Sequence, residues 1–379
     1  MNDSWDTFDD YSTPSFDLDY FHQVRSTVGV WLLVCCVVGT PTNAMVIRCA
    51  WQLCQAGRSA LLYQYFVLSM AVADLVFVSV VAPALFSQFY LRVTYGRPSC
   101  TIMYVLSHCS TVSSSLSLLC LNLDKFVAIF RPLHHSSIVT RGRVLVAVAA
   151  CWLLSISWSI FFVFGPVLTY HEPCSLNVAS FGSYLAFMIC FFVMPTLVAA
   201  VLGAFIAVIA YRSEKQQADL KFASSGDCGR RNTALLARTS LNGHSNLVVN
   251  RARTFTFVFA TTAWSCVTHL PYRVMYPVYI GTPFQPWHLT VGFTFFSMMA
   301  ANPVGNPLIT VLTQRRYRIL VLNMWKTSWA RGAIRRMMRV CRPGSEHDCS
   351  GLAAPHSSMA TAGRSVPDAF LEQEYEESR

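Results

Sequence analysis

Residues 61–88 read LLYQYFVLSMAVADLVFVSVVAPALFSQ, with Asp74 as the one charged group near the centre. Apolar side chains fall on every face that a helix of this stretch would present. A helix needs about 20 mostly apolar residues to cross a hydrocarbon layer roughly 30 Å thick, whereas a water-soluble helix keeps a polar face. The stretch is therefore a membrane span. Outward from it, six more stretches qualify, at about 27–50, 98–129, 144–166, 182–211, 253–280 and 287–312. The expected fold is all-α, a seven-transmembrane helix bundle, with a short amphipathic helix after the seventh span.

Composition agrees. The 379-residue chain is 54% hydrophobic and 13% charged, with mean hydropathy +0.41, against about a quarter charged in soluble domains. With the N-terminus outside, only Arg25, Arg92, Arg97 and Arg273 of the 29 basic residues fall on the outer side; Arg141, Arg143, Arg251, Arg253, Arg315 and Arg316 are among those on the inner side. That is the positive-inside bias. The net charge of +10 thus reports topology and not a nucleic-acid surface.

Residues 1–26 form an acidic extracellular tail in which Asp3, Asp6, Asp9, Asp10, Asp17 and Asp19 are interleaved with aromatic residues. It reads as a solvated tail, or as a capture surface for a basic ligand. No cleavable signal peptide is visible in it, and Asn2-Asp3-Ser4 is a formal glycosylation sequon. Residues 27–313 carry the spans, with 212–251 a flexible inner loop rich in Ser, Asn, Gly and Arg. In 314–340, Tyr317, Leu320, Leu322 and Trp325 recur at helical spacing among arginines, as in an interfacial helix on an anionic inner leaflet. Cys341 is then a palmitoylation candidate or a plain thiol, and 341–379 reads as a disordered cytoplasmic tail. Of the fourteen cysteines, most, such as Cys35, Cys36, Cys49, Cys120 and Cys190, sit inside spans as small apolar fillers. Only Cys100 and Cys174 fall in the outer, oxidising region, as a candidate pair.

An ionisable group at mid-membrane costs at least about 2.5–3.5 kcal/mol on insertion scales, so Asp74 needs partners. Asn43, Ser114, Asn302 and Asn306 are the polar candidates. A carboxylate among hydroxyl and amide oxygens suits a small hard cation such as Na⁺; a hydrogen-bond cluster without an ion is the other reading. No further cofactor is expected.

Several landmarks occur in order along the spans: Gly39-Thr40-Pro41-Thr42-Asn43, Leu68 to Asp74, Cys100, Asp124-Lys125-Phe126 with Arg131-Pro132-Leu133 after it, Trp152, Pro195, Pro271, and Asn306-Pro307-Leu308-Ile309-Thr310. Over about residues 27–325 the sequence resembles rhodopsin-like G protein-coupled receptors. The resemblance implies a disulfide between Cys100 and Cys174 and an allosteric sodium ion among Asp74, Ser114, Asn302 and Asn306. It also implies a ligand cavity between the outer halves of the third, fifth, sixth and seventh spans. On activation the sixth span would swing outward and admit a heterotrimeric G protein.

The departures from that pattern fall mostly at the inner end. Lys125 stands where the family has Arg, replacing a planar fork of donors by a point charge. Gly203 and Thr310 stand where tyrosines are expected, His269 replaces a tryptophan and Ser265 a phenylalanine. With Asp124, Phe126, Pro195, Pro271 and Pro307, these positions make up the expected coupling and switch region. Altered or weak signalling is one reading of the departures, and tolerated drift with ordinary coupling is the other.

Amine receptors of the family place an Asp seven residues after the cysteine of the third span; here that residue is Ser107. No acid lies elsewhere in the outer half of a span, so a buried ammonium would lack a counter-ion. Pro271-Tyr272-Arg273 is instead similar to the run in thyrotropin-releasing-hormone-type and related peptide receptors. Arg273 is placed to meet a carboxylate, carbonyl or amide, or to snorkel outward. Tyr104, Ser107, His108, Thr111, Phe187, Phe191, His269, Tyr272, Tyr276 and Phe296 are expected around it, with ordinary helix packing the alternative for each. The expected function is a plasma-membrane receptor for an extracellular peptide, partnered by a G protein and by arrestin. No internal repeat supports a transporter, and no nucleophile–base pair supports an enzyme.

Overall fold

In the computed structural model, residues 18–55, 61–131, 133–165, 168–171, 174–178, 180–225, 256–278 and 286–326 are described. The spans are helices in the expected order: Leu18–Gln55, Gln64–Phe89, Arg97–Phe130, Arg141–Phe164, a fifth built of Phe181–Met188, Ile189–Val193 and Met194–Ser225, then 256–278 and Pro286–Thr313. Between the fourth and fifth, β1 (Leu168–His171) pairs antiparallel with β2 (Ser175–Val178), Leu168 opposite Val178. Each strand alternates apolar and polar residues, Leu168 and Tyr170 on one and Leu176 and Val178 on the other, but four residues are too few for that period to stand out in the sequence.

Two boundaries are corrected. The first helix begins at Leu18, inside the expected tail, because nothing in 18–26 breaks a helix and Asp19 lies at its positive end. The fifth continues to Ser225, so 212–225 is helix and not loop; Glu214, Lys215, Gln216, Gln217 and Ala218 are strong helix formers. Asn2, Cys341, the 226–251 part of the inner loop and the 341–379 tail lie outside the described residues. Residues Ile209–Thr256 and Gln314–Arg379 group as a unit of their own, which includes the helix at 315–326, the described part of the amphipathic segment.

Five of the described helices are long and apolar enough to cross a membrane on length and composition alone. The sixth and seventh fall short because they carry buried polar groups, Thr261, Thr262, Ser265, Thr268, His269 and Arg273 on one, Asn302 and Asn306 on the other. Large apolar residues meanwhile point outward: Val146, Val201 and Leu312 are each 69% exposed. Such a surface is stable in hydrocarbon and would aggregate in water.

Inside, the first span packs on the second and seventh, and the third on the second and fourth. Gly39 permits the first contact, since a Cβ there would lie 2.8 Å from Val78 Cγ1. One core cluster joins Val28, Leu32, Phe77, Val78, Val81, Met103 and Ala300; another joins Val112, Phe162, Tyr184, Phe187, Met188 and Phe192. The second and fifth spans each contain a π turn, Phe77–Val81 and Ile189–Val193, just before Pro83 and Pro195. Each proline removes a backbone donor and loosens the helix ladder there.

Candidate receptor site

At one end of the bundle Cys100 and Cys174 are joined, their Cα atoms 5.7 Å apart, so the hairpin is tethered to the start of the third span. Below the disulfide an aromatic chain crosses the spans. Phe89 meets Phe296, Phe296 meets Tyr272, Tyr272 meets Tyr276, and Tyr276 meets Tyr184, with ring centroids 5.4–6.3 Å apart. Arg273 lies inside this chain, only 5% exposed, so it does not snorkel outward. Its guanidinium carbon sits 3.8 Å from the centre of the Phe192 ring, and Nη1 points at Met188 Sδ at 3.7 Å. Nε has no hydrogen-bond partner, and among the described residues no carboxylate pairs with this arginine.

Other expected pocket residues divide. Tyr104 packs against both core clusters. Ser107 offers its carbonyl to Ser110 and Thr111. His108 stands edge-on to Phe162 and Phe187, its Nδ1 unpartnered. Phe187 and Phe191 stack with Phe162 and Trp158 between the fourth and fifth spans, so most of their surface serves helix packing. His269 and Thr111 lie deeper, on a small cavity shared with Asp74.

That cavity is about 10 Å³ and is lined by Asp74, Ser110, Thr111, Ser114, His269 and Asn302, with apolar Phe77, Met299 and Pro303. Ser114 Oγ donates to Asp74 Oδ1 at 2.8 Å, and Asn306 Nδ2 donates to Oδ2 at 2.8 Å. Asn302 bonds instead to the sixth span, its Oδ1 accepting from Thr268 Oγ1 at 3.1 Å. Asn43 departs from expectation, since its Nδ2 donates to Gly39 O and Pro303 O and not to Asp74. The physical reason is Pro307. A helical Pro303 carbonyl would bond the N–H of residue 307, which proline lacks, and Asn43 supplies the missing donor.

At the opposite end, Lys125 Nζ sits 2.8 Å from Asp124 Oδ2 and 3.5 Å from the centre of the Tyr63 ring. Asp124 Oδ1 also meets His135 Nε2 at 3.1 Å. Lys125 is thus clasped by a carboxylate of its own span and by the face of Tyr63, the residue that caps the start of the second span. Phe126 packs against Phe130 and Phe205. Asn122 bonds to Thr262 on the sixth span, and a Cβ on Gly203 would lie 3.3 Å from Asn122 Oδ1. Thr310 Oγ1 donates back to Asn306 O within its own helix. Trp152 Nε1 donates to Ser69 Oγ, which also bonds Ser117 Oγ, so one node joins the second, third and fourth spans. Tyr63, His135, Asn122 and Thr262 escaped the sequence reading because no spacing marks cross-helix partners.

Residues 42–309 match the family model described as 7 transmembrane receptor (rhodopsin family). The chain belongs to that family. It is a receptor and a multi-pass membrane protein, and not an enzyme. It is 28% identical to the G-protein coupled receptor aex-2 of Caenorhabditis elegans over 77% of this chain and 81% of that one. It is 23% identical to human melanopsin over 81% of this chain and 63% of that one. The match to the human alpha-1A adrenergic receptor, 28% identical, covers 40% of this receptor and 33% of its relative. Squid rhodopsin shares the fold, with TM-score 0.63 and 18% identity over 81% of this receptor and 87% of the squid chain.

Proposed function

We propose that this receptor lies in the plasma membrane with its N-terminus and disulfide end outside, binds an extracellular peptide, and activates a heterotrimeric G protein by outward movement of the sixth span. Arrestin is the second intracellular partner. The observation that carries the ligand reading is Arg273, a buried cation with an unpartnered Nε and, among the described residues, no carboxylate paired with it. A buried donor left so favours a ligand that brings an acceptor, a carboxylate or peptide carbonyl. Ser107 in place of an acid argues against an amine, whose charge would enter uncompensated.

Asp74, Ser114 and Asn306 fit a sodium ion. Asn306 Oδ1 is buried without a partner beside the carboxylate, and the cavity has room for one water-sized particle. Such an ion would favour the conformer that keeps these oxygens together.

A second reading, weak or rerouted coupling, is favoured by the clasp on Lys125. The test is a G protein dissociation and arrestin recruitment assay against a peptide library, beside Arg273→Ala and Asp74→Asn. Peptide responses lost in Arg273→Ala support the site. Responses untouched by it refute the pocket, and a surface-expressed receptor silent to every peptide refutes the ligand class.

A further inference from the structure

A second cavity lies away from the Arg273 site, between the first and seventh spans. Its volume is about 640 Å³, within the 300–1,000 Å³ range of small-molecule sites. It runs from Tyr20 and Thr290 near the disulfide end to Trp31 and Ala301, with Trp264 and Thr268 of the sixth span also in its lining. At 1.5 Å per residue both helices track it for about 16 Å, half the hydrocarbon thickness and hence one leaflet.

The polar groups of the described lining residues are neutral. Tyr20 Oη and Thr290 Oγ1 meet at 2.9 Å at the mouth, beside Gln23 and Thr27. Among the described residues no charged side chain lines it. The nearest cation in sequence, Arg25, turns away to the second span, donating to Gln88 O at 2.7 Å and lying 5.5 Å from the Phe89 ring centre. Among the described lining residues a phosphate or carboxylate headgroup would find no charge to pair with, whereas a hydroxyl would find hydroxyl and amide partners. Deeper in, Trp31 Nε1 is already committed to Ser297 O at 2.9 Å, and the surrounding wall is apolar.

The far wall reaches the core of the receptor. Trp264 Nε1 donates to Asn302 O at 3.4 Å and its indole fills the space where Gly305 has no Cβ; Thr268 Oγ1 donates to Asn302 Oδ1. Asn302 in turn borders the Asp74 cavity. A molecule lying against Trp264 thus touches the polar cluster through one residue.

We infer that the groove between the first and seventh spans binds a neutral, hydroxyl-headed amphiphile taken laterally from the bilayer, its hydroxyl at Tyr20 and Thr290 and its apolar body against Trp31 and Trp264. The inference is independent of the ligand assigned to Arg273. It is tested by binding, not signalling, on the full chain in nanodiscs of synthetic phosphatidylcholine. Two probes separate the sources of this chemistry, a photoreactive sterol with a free 3-hydroxyl and a photoreactive monoacylglycerol. At least one should label saturably, on peptides from the first and seventh spans. Ala301→Phe, which fills the groove, and Thr294→Phe, at its exposed mouth, should each weaken half-saturation about tenfold, roughly 1.4 kcal/mol. Either variant suffices if the other does not fold. An equal excess of long-chain fatty acid should not compete. Labelling spread evenly over all spans, insensitivity to a folded filling variant, or competition by the fatty acid would overturn the assignment. So would a photoreactive residue at Thr294 that captures a second receptor or another segment of the same chain in place of lipid.

Discussion

Asn122 on the third span and Thr262 on the sixth are joined by a hydrogen bond, Nδ2 to Oγ1 at 3.0 Å, with both side chains buried. The bond lies at the Lys125 end of the bundle, where under the proposed function the sixth span would part from the third. Gly203 on the fifth span makes room for it, because any side chain there would crowd Asn122 Oδ1. The absent tyrosine is thus structurally coupled to a cross-helix bond present in its place.

Thr262→Val keeps the shape and removes the hydroxyl. A net hydrogen bond contributes about 1 kcal/mol, so basal nucleotide exchange should rise about fivefold if the bond restrains opening. Gly203→Tyr should act in the same direction by displacing Asn122. Basal exchange equal to wild type in both variants, at matched surface expression, would remove the bond from the switch.

Lys125 carries its charge between Asp124 and Tyr63. Tyr63→Leu should take away a cation–π contact of about 1 kcal/mol, and Asp124→Asn the stronger ion pair, raising basal activity in that order. Lys125→Arg tests the lysine itself. A guanidinium offers a fork that an ammonium lacks, so ligand-driven exchange should increase. No change in basal or driven exchange would show that Lys125 is not limiting.

The sequence carried the spans, the disulfide and the Asp74 neighbourhood, because hydrophobic length and an isolated buried acid are strong local signals. It carried the partners less well. Asn43 is a polar candidate partner for Asp74 in the sequence, yet Pro303 O captures it, a consequence of Pro307 that becomes visible only when two helices are placed side by side. Phe187 and Phe191 have pocket-like chemistry in sequence, but their direction around the fifth helix sends them to Trp158 and Phe162. The first helix starts before its expected bound because the signal read there was an unbroken apolar run, while Asp19 to Ser26 mix polar groups with Tyr20, Phe21 and Val24 and are still helix-compatible.

The Asn43 assignment makes a prediction with an internal control. Asn43→Leu leaves the Pro303 carbonyl buried and unpaired, a cost of about 1–3 kcal/mol, and should lower the melting temperature in detergent. Pro307→Ala restores the N–H at that position, so the double variant should lose much less than the sum of the singles. Strict additivity would mean that Asn43 does not serve the proline.

Asp74 gives the last test. An ion that binds the folded receptor and not the unfolded chain stabilises it by RT ln(1 + [ligand]/Kd). If sodium is held by Asp74, Ser114 and Asn306, the melting temperature should climb with NaCl and stay flat with choline chloride at equal ionic strength. Asp74→Asn keeps the size of the side chain and one acceptor oxygen but removes the charge that a hard cation needs. Its melting curve should be indifferent to the choice of salt. Ser114→Ala should retain the response with a weaker apparent affinity, because it removes one oxygen and leaves the carboxylate. A wild-type receptor equally stable in both salts would leave the cluster as a set of interhelical hydrogen bonds. A sodium response that persists in Asp74→Asn would move the ion to another site.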